Sequence, residues 1–321
     1  MMLHLVADIG GTNSRFAMCE DGKTDLICPR KYPNKDYNSL GDVIQHYLDD
    51  VEKKPSRACM AVAGPAHSND VCLTNIDWEF SVVDYIKRFD LEGLKLTNDF
   101  TALAMSVPYL DKANYACIGR GNAVRIDKQP IAVLGPGTGL GVSGLLWNGN
   151  SYTALQGEGG NTSFAPTTDE ELEILKIART YMDHVRHEDF ISGTGLPFLH
   201  KIRAELHGKK DEKLTAEDIT WRAKMSKGGF CYNTVDVFCG MLGSMAGNMA
   251  LTLGAFGGVY IGGGVAPQLE EVFVNSSFRD RFEAKGRFED YVKNIPTYLL
   301  LSHSRNALIG AAAMLIPACP E

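Results

Sequence analysis

The sequence predicts a two-domain α/β protein, and three observations carry that prediction. The chain has 321 residues, 45% hydrophobic and 22% charged, an ordinary globular composition long enough to bury two cores. Its opening stretch of about 110 residues reads as short strands followed by alternating helix and strand, the order of a compact α/β unit. Three glycine-rich turns each follow a predicted strand: Asp8-Ile9-Gly10-Gly11-Thr12-Asn13, Gly135-Pro136-Gly137-Thr138-Gly139-Leu140-Gly141, and Gly262-Gly263-Gly264.

Residues 3–7 form an apolar strand that runs into Asp8. After the turn at Gly10-Gly11, 15–19 reads as a second strand and 25–29 as a third, with Asp21-Gly22 as a hairpin-type turn between them. Ser39 caps a helix with Asp42 three residues on, and Leu40, Val43, Ile44, Tyr47, Leu48 and Val51 line one face of it. A buried-type strand over 57–63 is stopped by Gly64-Pro65, and Ser81 caps a helix through Phe89. Residues 94–97 form a strand ending on Asn98-Asp99, and 101–107 a short helix stopped at Pro108.

The second half opens with a strand over 131–134 and the loop 135–141. Residues 142–147 and 151–155 pair as a hairpin around Asn148-Gly149-Asn150. Thr168 with Glu171 reads as a capping box opening a helix to about His184. Further helices cover 194–207, 216–226 and 231–255, and the charged stretch 209–213 reads as a surface loop. Residues 259–261 are a buried strand, and 306–315 an Ala-rich helix stopped by Pro317. No tandem repeat of fixed period is present.

Charge and cysteine usage exclude several classes. The net charge of −7 argues against sequence-independent nucleic-acid binding, which rests on Lys and Arg contacts to phosphates. A nucleotide would have to be held locally. The start lacks a basic region followed by a long apolar stretch, so a cytoplasmic protein without a secretory signal is expected. Eight cysteines without a CxxC or CxC pair read as scattered reduced thiols, mostly small buried residues, and no structural zinc is expected. Residues 237–269 carry no charge, 237–256 are long enough to span a bilayer, and Gly243-x-x-x-Gly247 mimics a helix-pairing motif. Their Gly, Ser and Asn content and the glycines that follow fit a buried helix feeding a buried strand better, so no membrane partner is expected.

The glycine turns permit close backbone approach to phosphates, and Thr12 and Thr138 add hydroxyl donors. Asp8 can reach Mg2+ through water, because hard cations prefer carboxylate and water oxygens. One such turn alone is as readily a plain strand ending; three, two of them carrying Gly-Thr, are harder to dismiss. Residues 139–144 also match GxGxxG, but that fingerprint needs a helix after the turn, and here a strand and hairpin follow. A Walker-type GxxxxGK[ST] is absent. Asn98-Asp99, at a strand end before a helix, is either a helix cap or the seat of a general base. Glu158, flanked by glycines, suits a carboxylate pointing into a cleft, or a solvated loop. Glu188 and His187 carry no signal of their own.

Together these residues resemble the bacterial glucokinase family of the actin/hexokinase/Hsp70 ATPase superfamily. Five segments carry the match in order: DIGGTNSRFA (8–17), LTNDFTA (96–102), GPGTGLGV (135–142), GEGG through FAP (157–166) and VYIGGGVAP (259–267), with shorter echoes at ISGTGL (191–196) and KGRF (285–288). The resemblance implies a two-domain actin-like ATPase (ribonuclease H-like) fold with an active-site cleft between domains. The smaller domain would comprise 1–109 plus 305–321 and the larger one 110–304. It implies ATP with Mg2+, a small-molecule sugar substrate and a homodimer. Asp8, Gly10, Gly11, Thr12 and Asn13 would form the first phosphate loop and Gly137, Thr138 and Gly139 the second, while Gly262, Gly263 and Gly264 would lie against the adenosine. Asp99 would be the catalytic base, and Asn98, Glu158, Asn161 and Glu188 would bind the sugar. The cysteine zinc motif of the related repressor/open-reading-frame/kinase family does not appear.

One position departs from the pattern. Where the family reads Gly-Glu-Gly-Gly-His, this chain has Asn161, followed by Thr162-Ser163. A smaller side chain near the sugar's C1/C2 edge is expected to free volume for a 2-substituent, which favours N-acetyl-D-glucosamine as the 6-phosphorylated sugar; D-glucose is the alternative. A non-sugar ATPase of the same superfamily is the alternative of another class, and it predicts no sugar-binding carboxylates.

Overall fold

The computed structural model describes residues 2–62, 69–73, 76–119 and 124–316. The expected stop at Gly64-Pro65 and the helix stop at Pro317 lie outside the described residues, as does Cys319. The chain divides into two compact units: 1–111 with 148–156 and 302–321, and 112–147 with 157–301.

In the first unit β1 (Leu3–Ile9), β2 (Asn13–Glu20) and β3 (Ile27–Pro33) form an antiparallel meander. Then come α1 (Leu40–Val51), β4 (Arg57–Val62), the short ribbon β5 (Asp70–Cys72) and β6 (Glu79–Ser81), α2 (Val82–Arg88), β7 (Gly93–Asn98) and α3 (Asp99–Ser106). The sheet order is β3-β2-β1-β4-β7, with β1, β4 and β7 parallel. Successive side chains of a strand face opposite ways, and β1 shows it: Leu5, Ala7 and Ile9 pack with α1, whereas Val6 packs with Leu308, Ala311 and Ala312 of the helix His303–Ala313. Ser39 caps α1 as its sequence requires, accepting from the Asp42 N–H.

The third strand begins later than expected. A bulge between Phe16 and Met18 of β2 absorbs Cys28 and Pro29, and β3 continues to Pro33 as an edge strand, where a proline without an N–H is tolerated. Ser81 makes no side-chain cap, because it ends β6 of a ribbon the sequence did not reveal.

The second unit contains β8 (Tyr115–Ile118), β9 (Ile131–Pro136) and β10 (Leu140–Trp147), then α4 (Asp169–Ala178), α5 (Gly195–Leu206), α6 (Ala216–Met225) and α7 (Phe230–Leu253). After β11 (Val259–Ile261) and α8 (Glu270–Val274), α9 (Phe278–Glu283), α10 (Glu289–Lys293) and β12 (Thr297–Leu300) complete it. Among these five strands the order is β10-β9-β11-β12-β8, parallel at β9-β11-β12. Every residue of β9 is buried, as a central parallel strand covered on both faces should be.

One expectation gains its packing partner here and two change. Gly243-x-x-x-Gly247 lies on α7, but a side chain at either glycine would land on the Phe278 or Phe282 carbonyl of α9, so the spacing serves a close helix crossing inside the unit. Among the described residues, no helix is long and apolar enough to cross a membrane. Thr168 caps α4, yet Glu171 does not complete a capping box: its carboxylate takes the Thr167 N–H at 2.7 Å and Arg281 at 2.7 Å. The helix also ends at Ala178 rather than near His184, because 185–188 is drawn into extended pairing with 160–164. Phe164 N–H donates to the Val185 carbonyl, His187 N–H to Thr162 and Glu188 N–H to Gly160.

Candidate active site

In the first unit the strand register brings three candidates to one end. Ile9 is level with Val62, and Val62 with Asn98, so β1, β4 and β7 finish together at their carboxyl ends. Ligands of open α/β sheets bind at such ends. Asp8 and Asp99 therefore sit two strands apart, roughly 10 Å by the usual spacing. The chain passes from β7 into α3 through a cap: Asn98 Oδ1 accepts from the N–H groups of Phe100 at 2.9 Å and Thr101 at 3.3 Å. The cap and the base readings are thus compatible, and α3 begins at Asp99 rather than at Thr101. A carboxylate in a first helical turn is favoured by the exposed N–H dipoles.

Asp8 is 6% exposed. Burial pushes its carboxyl up to about 6; Arg15 lowers it and the charge of Asp99 raises it. Arg15 reaches Asp8 Oδ2 at 3.2 Å. The Gly10–Asn13 turn is closed by a Gly10 N–H to Asn13 carbonyl bond of 3.1 Å. Its form depends on Asn34, a residue the sequence did not flag. Buried Asn34 donates its side-chain amide to the Gly10 carbonyl at 2.7 Å and its backbone N–H to Thr12, and accepts from Ser14 Oγ at 2.8 Å. The only local signal was an Asn in a connecting segment.

In the second unit two glycine turns meet backbone to backbone. The loop expected over 135–141 is tighter: β9 runs to Pro136, β10 starts at Leu140, and 137–139 alone make the turn, closed by a Gly137 N–H to Gly139 carbonyl bond of 2.8 Å. A Cβ on Gly135 would land on Gly262, and one on Gly263, at φ +82°, on the Pro136 carbonyl. Only glycine fits either place. Gly193 N–H donates to the Gly137 carbonyl at 2.7 Å and Thr194 Oγ1 to the Thr138 carbonyl at 3.1 Å, which explains the 191–196 echo as the second loop's support.

Glu188 joins this loop to the 157–166 segment. Its Oε2 accepts the Leu140 N–H at 2.7 Å, and a Cβ on Gly139 would land on that oxygen. The extended pairing of 160–164 with 185–188 brings Asn161 alongside. Asn161 Oδ1 accepts from Arg186 Nη1 at 2.7 Å, and its Nδ2 lies 3.4 Å from Glu158 Oε2. The carbonyl oxygen of Asn161 is thus held by Arg186. Arg186 and its partner Asp189 had no sequence signal. Asp8, Asn98, Asp99 and the first loop thus form one group, and Glu158, Asn161, Glu188 with the two later glycine turns another, each within its own unit. Among the described residues no group of three or more His, Cys, Asp or Glu could hold a metal ion, and the described cysteines are free thiols.

The fold is the two-domain, actin-like α/β fold of solved sugar kinases. A crystal structure of a glucokinase from an Antarctic psychrotroph superposes with a TM-score of 0.89 at 38% identity, over 98% of this chain and 99% of that one. The glucokinase family profile matches residues 5–317. A glucokinase of Nitrobacter hamburgensis is 41% identical over 97% of this chain and 96% of its own length. One of Aromatoleum aromaticum is 43% identical over 97% and 94%. The chain belongs to the glucokinase family.

Proposed function

We propose that this chain is an ATP-dependent glucokinase that moves the γ-phosphoryl group of ATP to the 6-hydroxyl of D-glucose. The observation that carries the reading is the pair of carboxylates, Asp8 and Asp99, at one end of the parallel strands beside a glycine-threonine turn. Phosphoryl transfer is mainly positioning and charge neutralisation, and this corner offers both a base and a cation-seeking group. Asp99 accepts the proton of the sugar hydroxyl as that oxygen bonds to the γ-phosphorus; the bond from phosphorus to the β,γ-bridging oxygen breaks and ADP leaves. In the turns 10–13 and 137–139 the backbone N–H groups other than those of Gly10 and Gly137, which close the turns, bind phosphate oxygens, and 262–264 backs the nucleotide. Asn98, Glu158, Asn161 and Glu188 hydrogen-bond the sugar, carboxylates and amides being able to bridge neighbouring hydroxyls.

Mg2+ bound with ATP would neutralise phosphate charge, and a single protein carboxylate would suffice to hold it, because this ion usually takes waters and phosphate oxygens as its other ligands. Asp8 fits that part: its charge is opposed by burial and by Asp99, and a nearby dication relieves both.

Glucose replaces N-acetylglucosamine as the favoured sugar. The relatives above are named glucokinases, which supports this preference. A coupled ADP-release assay tests this with glucose, N-acetylglucosamine, mannose and N-acetylmannosamine side by side. The highest kcat/KM is expected with glucose. A higher value with N-acetylglucosamine would restore the acetamido reading, and no sugar-stimulated release would remove the kinase reading.

A further inference from the structure

We propose that Arg186 is a positioning residue that fixes the side-chain amide of Asn161, so that this residue turns its hydrogen-bond donor towards the sugar. The inference rests on the reading that Asn161 faces the hexose.

The geometry is a clamp. One edge of the Arg186 guanidinium lies on Asp189: Nη2 donates to Oδ1 at 2.6 Å and Nε to Oδ2 at 3.3 Å. Asp189 Oδ2 also accepts the backbone N–H of Arg186 at 2.7 Å, and the Asp189 side chain is only 9% exposed. A guanidinium bound along one edge to a carboxylate has its plane fixed. The remaining nitrogen, Nη1, is thereby aimed, and it donates to Asn161 Oδ1 at 2.7 Å and to Glu188 Oε1 at 3.4 Å.

An asparagine amide has one accepting and one donating end, and nothing intrinsic decides which faces a ligand. Arg186 has no acceptor, so it selects the Oδ1 end and leaves Nδ2 on the Glu158 side. A sugar hydroxyl can accept from that Nδ2; an amide N–H at the same place cannot. The same nitrogen reaches Glu188, which holds the Leu140 N–H of the second glycine loop, so one cation orders two proposed sugar ligands.

The test reads steady-state kinetics of the full chain with glucose and with each monodeoxyglucose in turn. The wild type should lose activity on one deoxy sugar whose missing hydroxyl faces Asn161. In Arg186→Ala the glucose KM should rise about tenfold, kcat and the ATP KM should stay within a few-fold, and the penalty for that one deoxy sugar should vanish. Arg186→Lys should not rescue it, since an ammonium cannot grip Asp189 along an edge. Should Arg186→Ala fail to fold, Arg186→Met serves: it keeps the reach of the side chain but has no donor for Asn161 Oδ1, and the same deoxy penalty should vanish. Unchanged deoxy penalties in these variants, or an equal loss of kcat on every sugar, would overturn the inference while leaving the kinase reading intact. A wild type without hexose turnover would overturn both.

Discussion

The two units treat their carboxylates in opposite ways. In the first, Asp8 has one guanidinium at 3.2 Å, faces the charge of Asp99, and has its carboxyl raised to about 6. In the second, Asp189 is met by two guanidinium nitrogens and a backbone N–H, while Glu188 takes a loop N–H and the same arginine. The first corner is short of positive charge, which suits a site whose substrate arrives with a cation. The second is already paired, which suits recognition of a neutral polyol by hydrogen bonds set in advance. On the proposed function the difference separates the corner that would meet charge from the one that would meet the sugar, and each side can be broken separately.

The largest effect is expected at the base. Asp99→Asn should lower kcat by about 10²–10⁴, the usual range for a general base, while glucose affinity measured by titration calorimetry changes only a few-fold. Appreciable kcat in that variant would remove Asp99 from the chemistry.

Next is the packing that holds α3 in place. A Cβ on Gly310 would land on the Ala102 carbonyl, so α3 and the helix His303–Ala313 touch backbone to backbone. Gly310→Ala should cost about 3 kcal/mol or more, read as a lower denaturation midpoint. A midpoint equal to wild type would show that α3 can shift without cost.

Asp8→Asn sharpens the electrostatic side. The folded protein binds the Asp8 proton more tightly than the unfolded chain does, so this contribution is fully present below about pH 4 and is lost as pH rises through about 6. The loss is on the order of 3 kcal/mol by pH 8. Asp8→Asn should therefore gain stability over wild type between pH 4 and pH 8 in urea unfolding, while losing ATP-dependent activity. A stability difference independent of pH would contradict a strained carboxyl. The smallest effect belongs to the paired side: Asn161→Ala should raise the glucose KM about tenfold with little change in kcat.

What could be read in the sequence follows the same division. Strand ends, glycine turns and the Asn98-Asp99 junction are local, so β1, β7 and the first loop were legible from turn chemistry and apolar runs. The supports were not. Asn34 shapes the Gly10–Asn13 turn from a connector, and Arg186 reaches Asn161 across 25 residues. Glu171 looked like a capping-box partner because Arg281, 110 residues on, cannot be seen from local spacing. The α4 apolar pattern likewise ran past Ala178, since the pull on 185–188 comes from the 160–164 segment. At Asn161 the size was visible and the arginine that holds its carbonyl was not.

The central claim is transfer of a phosphoryl group to a hexose hydroxyl, and product analysis tests it most directly. Incubated with ATP, Mg2+ and glucose, the protein should yield ADP and glucose 6-phosphate in equal amounts, followed by phosphorus NMR. Inorganic phosphate in place of a sugar phosphate would make it a non-sugar ATPase and contradict the account.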